Sequence, residues 1–284
     1  MTNHRTALLQ AVKILKNAHI SSAGDDAELL LCHILKCDKV ALHRDNDKKL
    51  SRPAEKKLQR LINLRVAGHP VSQIIGYKYF YDLKFKVTTE VLTPRPESEL
   101  LVTEAINFLK TLTSTKRLFA EIGVGSGCLS LSILKNTPKS QALAVDISGS
   151  ALKTAKNNSK NLKLTKRIKF FKGDLLLPLT KKTFPLLIAN LPYIPRSEKK
   201  HLPDLKFEPS SALYSGSDGL SAYRKLFLQL KKRQAIPRRL ILEIGYNQGL
   251  AIKKIVNKKF PLAKIIIQKD LANFDRIAII DLQN

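Results

Sequence analysis

The chain has 284 residues, 44% hydrophobic and 26% charged, an ordinary globular composition with room for one large α/β domain and a small one. No apolar run reaches the ~18 residues that span a bilayer, and the N-terminal stretch lacks the continuous apolar core of a signal peptide, so a cytoplasmic protein without a membrane partner is expected. The net charge of +27 invites a nucleic-acid reading, but residues 1–90 carry 16 Lys and Arg against 9 Asp and Glu, and residues 91–284 carry 34 against 14. The excess is therefore spread along a lysine-rich chain; a compositional bias accounts for it as well as a ligand does, and only weak attraction to polyanions such as the ribosome follows from it.

Residues 3–18, 24–36 and 52–66 each place apolar side chains at helical spacing, the last behind Ser51 as N-cap with Pro53 in the first turn. They predict a small helical bundle over residues 1–70. Cys32, His33, Cys37 and His43 lie close together there, but Cys32 falls in the apolar helical stretch ELLLCHIL and no C-x2-C pair exists, so no metal site is expected. With Cys128 the cysteines number three, without a disulfide spacing. Val71 to Thr89 is rich in Ile, Tyr, Phe and Val and alternates in LKFKV, predicting a β-hairpin within a linker over 71–92. Pro94 and Pro96 punctuate the chain before a helix from Glu97 to Lys110.

Strands and helices then alternate. Strands are predicted at RLFAEI, QALAVD, RIKFFKGD, FPLLIAN and RRLILEIG, with helices at GCLSLSILKN, SGSALKTAKNNSKN, GLSAYRKLFLQLKK and NQGLAIKKIVNK. An irregular segment covers residues 191–218, and the strands AKIIIQ and DRIAIIDL follow without an intervening helix, so they should pair antiparallel. The fold class is α/β: a Rossmann-like domain over 93–284 with a mainly parallel, seven-stranded sheet and a C-terminal antiparallel strand.

Three features carry chemistry. Gly123, Val124, Gly125, Ser126 and Gly127 follow Glu121-Ile122 between a strand and a helix, where open α/β sheets bind ligands. The spacing is G-x-G-x-G rather than the dinucleotide G-x-G-x-x-G, and alone it also describes a structural tight turn. Asp146 ends the next strand, where a carboxylate accepts hydrogen bonds from ribose hydroxyls or caps the following helix. Asp174 ends the third strand, and with Leu175 would lie beside an adenine ring, although core packing describes Leu175 equally well. Asn190-Leu191-Pro192-Tyr193 ends the fourth strand, where a turn would also account for the Asn and Pro. An amide nitrogen is a poor nucleophile, so a site that methylates one must hold its NH2 group. The Asn190 side-chain oxygen and the Leu191 carbonyl supply two acceptors, and Tyr193 an aromatic wall.

These segments, with HPVSQIIGYKYF, VLTPRPESELLV, VDIS, FEPSSALYSGSDGLSAYRKL, LEIGYNQ and DRIAII, resemble the release factor glutamine methyltransferase family over nearly the full chain. The resemblance implies S-adenosylmethionine as cofactor, held by Gly123 to Gly127, Asp146, Leu175 and Asn190. It also implies a helical N-terminal domain that helps recognise class 1 peptide chain release factors, whose Gly-Gly-Gln glutamine is held by Asn190, Leu191, Pro192 and Tyr193. Leu191 stands where the family usually has proline, Asn273 where it usually has glycine, and Thr93 and Ser98 are mild changes. A ribosomal-protein glutamine methyltransferase shares most of these motifs, though the Pro-Arg-Pro-Glu-Ser-Glu segment favours the release-factor branch. An adenine-N6 DNA methyltransferase would need a DNA-recognition region that residues 1–90 do not offer, and a non-catalytic RNA-binding protein leaves the ordered constellation unexplained.

Overall fold

The computed structural model describes residues 2–113, 117–202, 205–233 and 236–282. The chain divides into two compact units, Met1–Tyr77 with Pro203–Phe207, and Lys78–Leu202 with Glu208–Asn284.

The first unit is helical: α1 (His4–Asn17), α2 (Ala23–Leu35), α3 (Lys39–Arg44), α4 (Arg52–Val66) and α5 (Val71–Ile75). Capping chemistry starts three of these. The side chains of Asn3, Asp38 and Ser51 accept from the backbone N–H groups of Thr6, Ala41 and Ala54. The apolar stripes Ala7, Ala11 and Leu15, Ala27, Leu30 and Leu31, and Leu58, Leu61 and Ile62 face one another in one core, with Cys32 in it rather than at a surface. His43 is occupied by Glu28, its Nε2 lying 2.9 Å from Oε1. Phe207 belongs to this unit because its ring stacks on His69 and its carbonyl accepts from Gln73 Nε2 at 3.1 Å.

The stretch expected to be hairpin from Val71 onward opens instead with α5. Pro70 presets the backbone ahead of it, Gly76 ends it in the left-handed region at φ 81°, and Val71 and Ile75, one turn apart, reach the bundle core. The β-branched residues that suggested a strand serve here as core contacts. The short α3 also escaped the periodicity, since one turn with a single buried residue, Leu42, carries little pattern.

The second unit begins at Lys78, within the hairpin of β1 (Tyr77–Phe80) and β2 (Leu83–Lys86). Its turn residues Tyr81 and Asp82 both adopt positive φ, 49° and 59°, the backbone of a tight two-residue hairpin turn without the usual Asn-Gly. The remaining elements alternate: α6 (Glu99–Thr111), β3 (Arg117–Ile122), α7 (Cys128–Asn136), β4 (Ser140–Asp146), α8 (Gly149–Asn161), β5 (Ile168–Lys172), β6 (Leu186–Ala189), α9 (Ser210–Leu213), α10 (Ser221–Lys231), β7 (Arg239–Glu243), α11 (Gly249–Lys259), β8 (Lys264–Lys269) and β9 (Asp275–Asp281). Seven strands form one sheet in the order β5-β4-β3-β6-β7-β9-β8. β3 to β7 run parallel, and β9 is antiparallel to both β7 and β8, as the missing crossover helix requires. Successive side chains alternate between two cores. Phe119, Ala144 and Ile188 pack towards α6 and α7; Ala120, Val145 and Leu187 pack towards α10 and α11. Asn273, in the turn before β9, has φ 65°, a conformation that Asn tolerates better than most residues.

Leu30 is fully buried in the bundle core. Leu30→Ala should cost the bundle about 2–5 kcal/mol, measured by urea unfolding followed by circular dichroism because the chain contains no tryptophan. A loss below about 1 kcal/mol would show that this core tolerates voids.

Candidate active site

The parallel register aligns the carboxyl ends of the strands, since Ile122 pairs with both Val145 and Ala189, Asp146 with Lys172, and Ala189 with Leu242. β3 is the first of these strands in the chain, and the connections leave it towards β4 on one side and β6 on the other. The crevice at that switch point is open to a ligand. A cavity lies there, lined by Ile122 to Ser126, Asp146 to Ser148, Gly173 to Leu175, Asn190 to Pro192, and residues 90–95 with Ser98.

The glycine turn is built for close approach. Gly123, Gly125 and Gly127 have φ of 78°, 53° and 82°. A Cβ on Gly127 would press on Leu131 at 3.1 Å and Ala155 at 3.3 Å, whereas one on Gly125 would meet no atom within 4 Å. Thus Gly127 serves helix packing, while Gly125 serves the backbone turn itself. Asp146 locks the turn: its Oδ2 accepts from the Gly125 N–H and its Oδ1 from the Ser148 N–H, both at 2.8 Å. The cap of α8 is Ser148, which accepts from Ala151, so capping is not the task of Asp146. Burial pushes the Asp146 carboxyl up, and hydrogen bonds from Gly125, Ser148 and Ile147 oppose that shift. Asp174 pairs with Lys225 at 2.6 Å on the cavity wall, and Leu175 sits beside it with φ 51°, left-handed backbone unusual for leucine.

Asn190, Leu191 and Pro192 line the same cavity; Tyr193, expected beside them as a wall, is not in the described lining. Its hydroxyl donates to Glu243 Oε1 at 3.2 Å, because a buried carboxylate draws in available donors. The loop is tied down from below. Gln248 Nε2 donates to the Tyr193 carbonyl at 2.9 Å, and the Tyr223 hydroxyl donates to the Glu243 carbonyl. Gly219, at φ 78°, passes so close that a Cβ would lie 2.0 Å from the Tyr193 oxygen. Across the cavity, Glu208 accepts from Arg95 Nη2 at 2.7 Å and from the Thr93 N–H at 3.3 Å, joining the Pro-Arg-Pro segment to the Phe-Glu-Pro segment.

Two family models match the chain: the PrmC N-terminal domain over residues 6–76 and the methyltransferase small domain over 101–204. A release factor glutamine methyltransferase of Thermodesulfovibrio yellowstonii is 36% identical over 90% of this chain and 91% of its own length. That of Rhodopirellula baltica is 37% identical over 89% and 87%. The chain belongs to the release factor glutamine methyltransferase family. The N-terminal domain of human METTL16, solved in complex with SAH, shares the fold at a TM-score of 0.53 and 17% identity, covering 84% of this chain and 86% of that one.

Leu191 stands where the family usually has proline, and its side chain is buried against Gly123. Four residues without an assigned role in the sequence reading are structurally prominent: Glu121, Asn158, Ser98 and Glu243. Asn158, buried on α8, joins hairpin to glycine turn, with Nδ2 donating to Lys86 O and Ser126 O and Oδ1 accepting from Lys86 N–H. A buried asparagine in the polar sequence KNNSKN has no signal that separates it from its exposed neighbours. Glu121 had one: it is a charged residue near the carboxyl end of a strand whose other residues after Arg117 are apolar.

Glu121 is buried at the cavity foot, accepting from the Ser130 N–H at 3.0 Å, and burial raises its carboxyl from 4.5 to about 8. The folded protein therefore keeps a proton that the unfolded chain releases near 4.5, and stability is lost progressively as pH climbs from there towards 8. Glu121→Gln keeps the acceptor but cannot ionise. Its Tm should match wild type near pH 5 and exceed it by a widening margin up to about pH 8. A Tm difference independent of pH would contradict the shifted carboxyl.

Proposed function

We propose that this enzyme transfers the methyl group of S-adenosylmethionine to the side-chain amide nitrogen, N5, of the glutamine in the Gly-Gly-Gln motif of class 1 release factors. The observation that carries the reading is that the Asn190-Leu191-Pro192 loop and the glycine turn, at the ends of adjacent strands, line one cavity. Family membership supplies the substrate class.

The cavity suits the cofactor. Its walls combine apolar side chains (Val124, Leu129, Ile147, Leu175) with carboxylates at two strand ends, Asp146 and Asp174, which match a nucleoside's ring and hydroxyls. Gly123 to Gly127 would hold it by backbone approach, Asp146 by its carboxylate, and Leu175 by apolar contact. When bound, the cofactor supplies an electrophilic methyl group on a sulfonium.

The chain's own residues hold the acceptor. Asn190 Oδ1 and the Leu191 carbonyl each accept from one N–H of the glutamine amide, which aims the nitrogen and steadies the positive charge that develops on it. Pro192 stiffens the loop, and Tyr193 anchors it through Glu243. A site holding one amide cannot discriminate among proteins, so recognition of the release factor falls to residues 1–70, the helical domain. The same basic chain offers polyanions a weak, salt-sensitive attraction.

Asn190→Ala should leave cofactor affinity nearly unchanged and lower kcat by roughly 100-fold or more in a labelled-methyl assay with intact release factor, the modified glutamine being located by peptide mass mapping. A variant with near wild-type kcat would remove Asn190 from the acceptor site. Asp146→Ala should weaken S-adenosylhomocysteine binding by about 1–3 kcal/mol in calorimetric titration, through the lost ribose contact and a loosened Gly125 turn. Unchanged affinity would reduce Asp146 to a structural tie.

A further inference from the structure

An asparagine amide is nearly symmetric in shape, with an acceptor oxygen at one end and a donor NH2 at the other. Which end faces a ligand depends on the hydrogen bonds made by the opposite end. In the acceptor role proposed above, Asn190 must turn its oxygen to the cavity, because an NH2 facing the substrate's NH2 would repel it. The source of that orientation lies outside the Asn190 loop.

Asn190 Nδ2 donates to Ser98 Oγ at 3.2 Å. The serine hydroxyl has one proton, and it donates that proton to Glu243 Oε2. The Ser98 oxygen can then only accept, so the group facing it must be the Asn190 NH2. Glu243 starts the chain of donors. It is buried, only 1% exposed, and its second oxygen accepts from Tyr193; burial pushes its carboxyl above the usual carboxylate range, while the Ser98 hydroxyl, the Arg276 guanidinium and the Tyr193 hydroxyl oppose that shift. Both Glu243 oxygens are occupied as acceptors, by the hydroxyls of Ser98 and Tyr193, so the direction of each bond from Glu243 through Ser98 to Asn190 follows from them.

We propose that Ser98 and Glu243 are positioning residues for methyl transfer: a buried carboxylate-to-serine relay that fixes the polarity of the Asn190 amide and keeps Oδ1 towards the acceptor glutamine. Ser98 stands in a motif at the start of α6 and Glu243 at the end of β7, separated by 145 residues. The relay rests on the acceptor reading of Asn190 and adds to it the cause of its geometry.

The variants Ser98→Ala, Ser98→Thr and Glu243→Gln test it in the full-length enzyme, alone and combined with Asn190→Ala. Glu243→Gln is isosteric but can present an NH2 to Ser98, which frees the serine proton to point at Asn190 and lets the amide reverse. Ser98→Ala and Glu243→Gln should each lower kcat about tenfold with S-adenosylhomocysteine affinity within twofold of wild type, and Ser98→Thr, which retains the hydroxyl, should recover most of the rate. In the Asn190→Ala background the same changes should lower kcat less than twofold further, since the group they orient is gone. Wild-type kcat in Ser98→Ala together with an impaired Asn190→Ala overturns the relay and leaves the acceptor reading standing. Wild-type kcat in Asn190→Ala overturns the acceptor reading and the relay with it. An equal loss from Ser98→Ala in both backgrounds shows that Ser98 acts on something other than Asn190 and also overturns it. Should Glu243→Gln fail to fold, the contrast between alanine and threonine at 98 still decides.

Discussion

A carboxylate enclosed by protein must be surrounded by donors, and the architecture of this site follows from meeting that demand at Glu243. Two hydroxyls, from Ser98 and Tyr193, reach its oxygens, while its backbone carbonyl takes the Tyr223 hydroxyl. Each of these contacts ties a different segment to the end of β7: the start of α6, the Asn-Leu-Pro-Tyr loop and helix α10. An unpaired buried charge would destabilise the fold far more than any one of these bonds stabilises it, so the segments are held in register by necessity rather than by affinity. The Asn190 loop is consequently held from below, which is the condition that the proposed aiming of a weak nucleophile requires.

The other half of the cavity follows a different logic. Its ligand-facing surface is largely backbone, made accessible by three glycines in left-handed conformation and stiffened by one carboxylate that binds Gly125 and Ser148 together. Asp146 therefore couples the two turns that would embrace a nucleoside, while remaining at the cavity surface. The structure separates charge by depth. Asp146 and Asp174 lie at the wall, the latter paired with Lys225, whereas Glu121 is buried at the foot with a carboxyl shifted to about 8.

Leu191 illustrates how a local rule yields to its surroundings. Proline at this place would stiffen the loop through its ring; leucine is held instead by its side chain, which is buried against Gly123. Restriction by a covalent ring is replaced by restriction through a partner.

Much of this was legible in the residue order. Period-3.6 stripes located the bundle helices, apolar runs bounded by Gly and Asp located the parallel strands, and the absence of a helix between the last two strands determined their antiparallel pairing. The glycine turn, Asp146, Asp174 and Asn190 could be assigned to one cavity because a parallel sheet gathers the carboxyl ends of its strands on one side. These are properties of short segments and of chain connectivity, and a sequence states them directly. The helix at Val71–Ile75 was not legible, since its β-branched residues suit a strand until a bundle core is there to receive them. Nor was the bond from the Tyr193 hydroxyl to Glu243, nor the tasks of Asn158, Ser98 and Glu243. Their partners lie 32 to 145 residues distant, and a hydrogen bond between such positions leaves no periodicity. Which strand ends meet is written in the order of elements; which end of the Asn190 amide faces the cavity is decided only when tertiary packing buries a carboxylate 53 residues away and obliges the intervening serine to give up its proton.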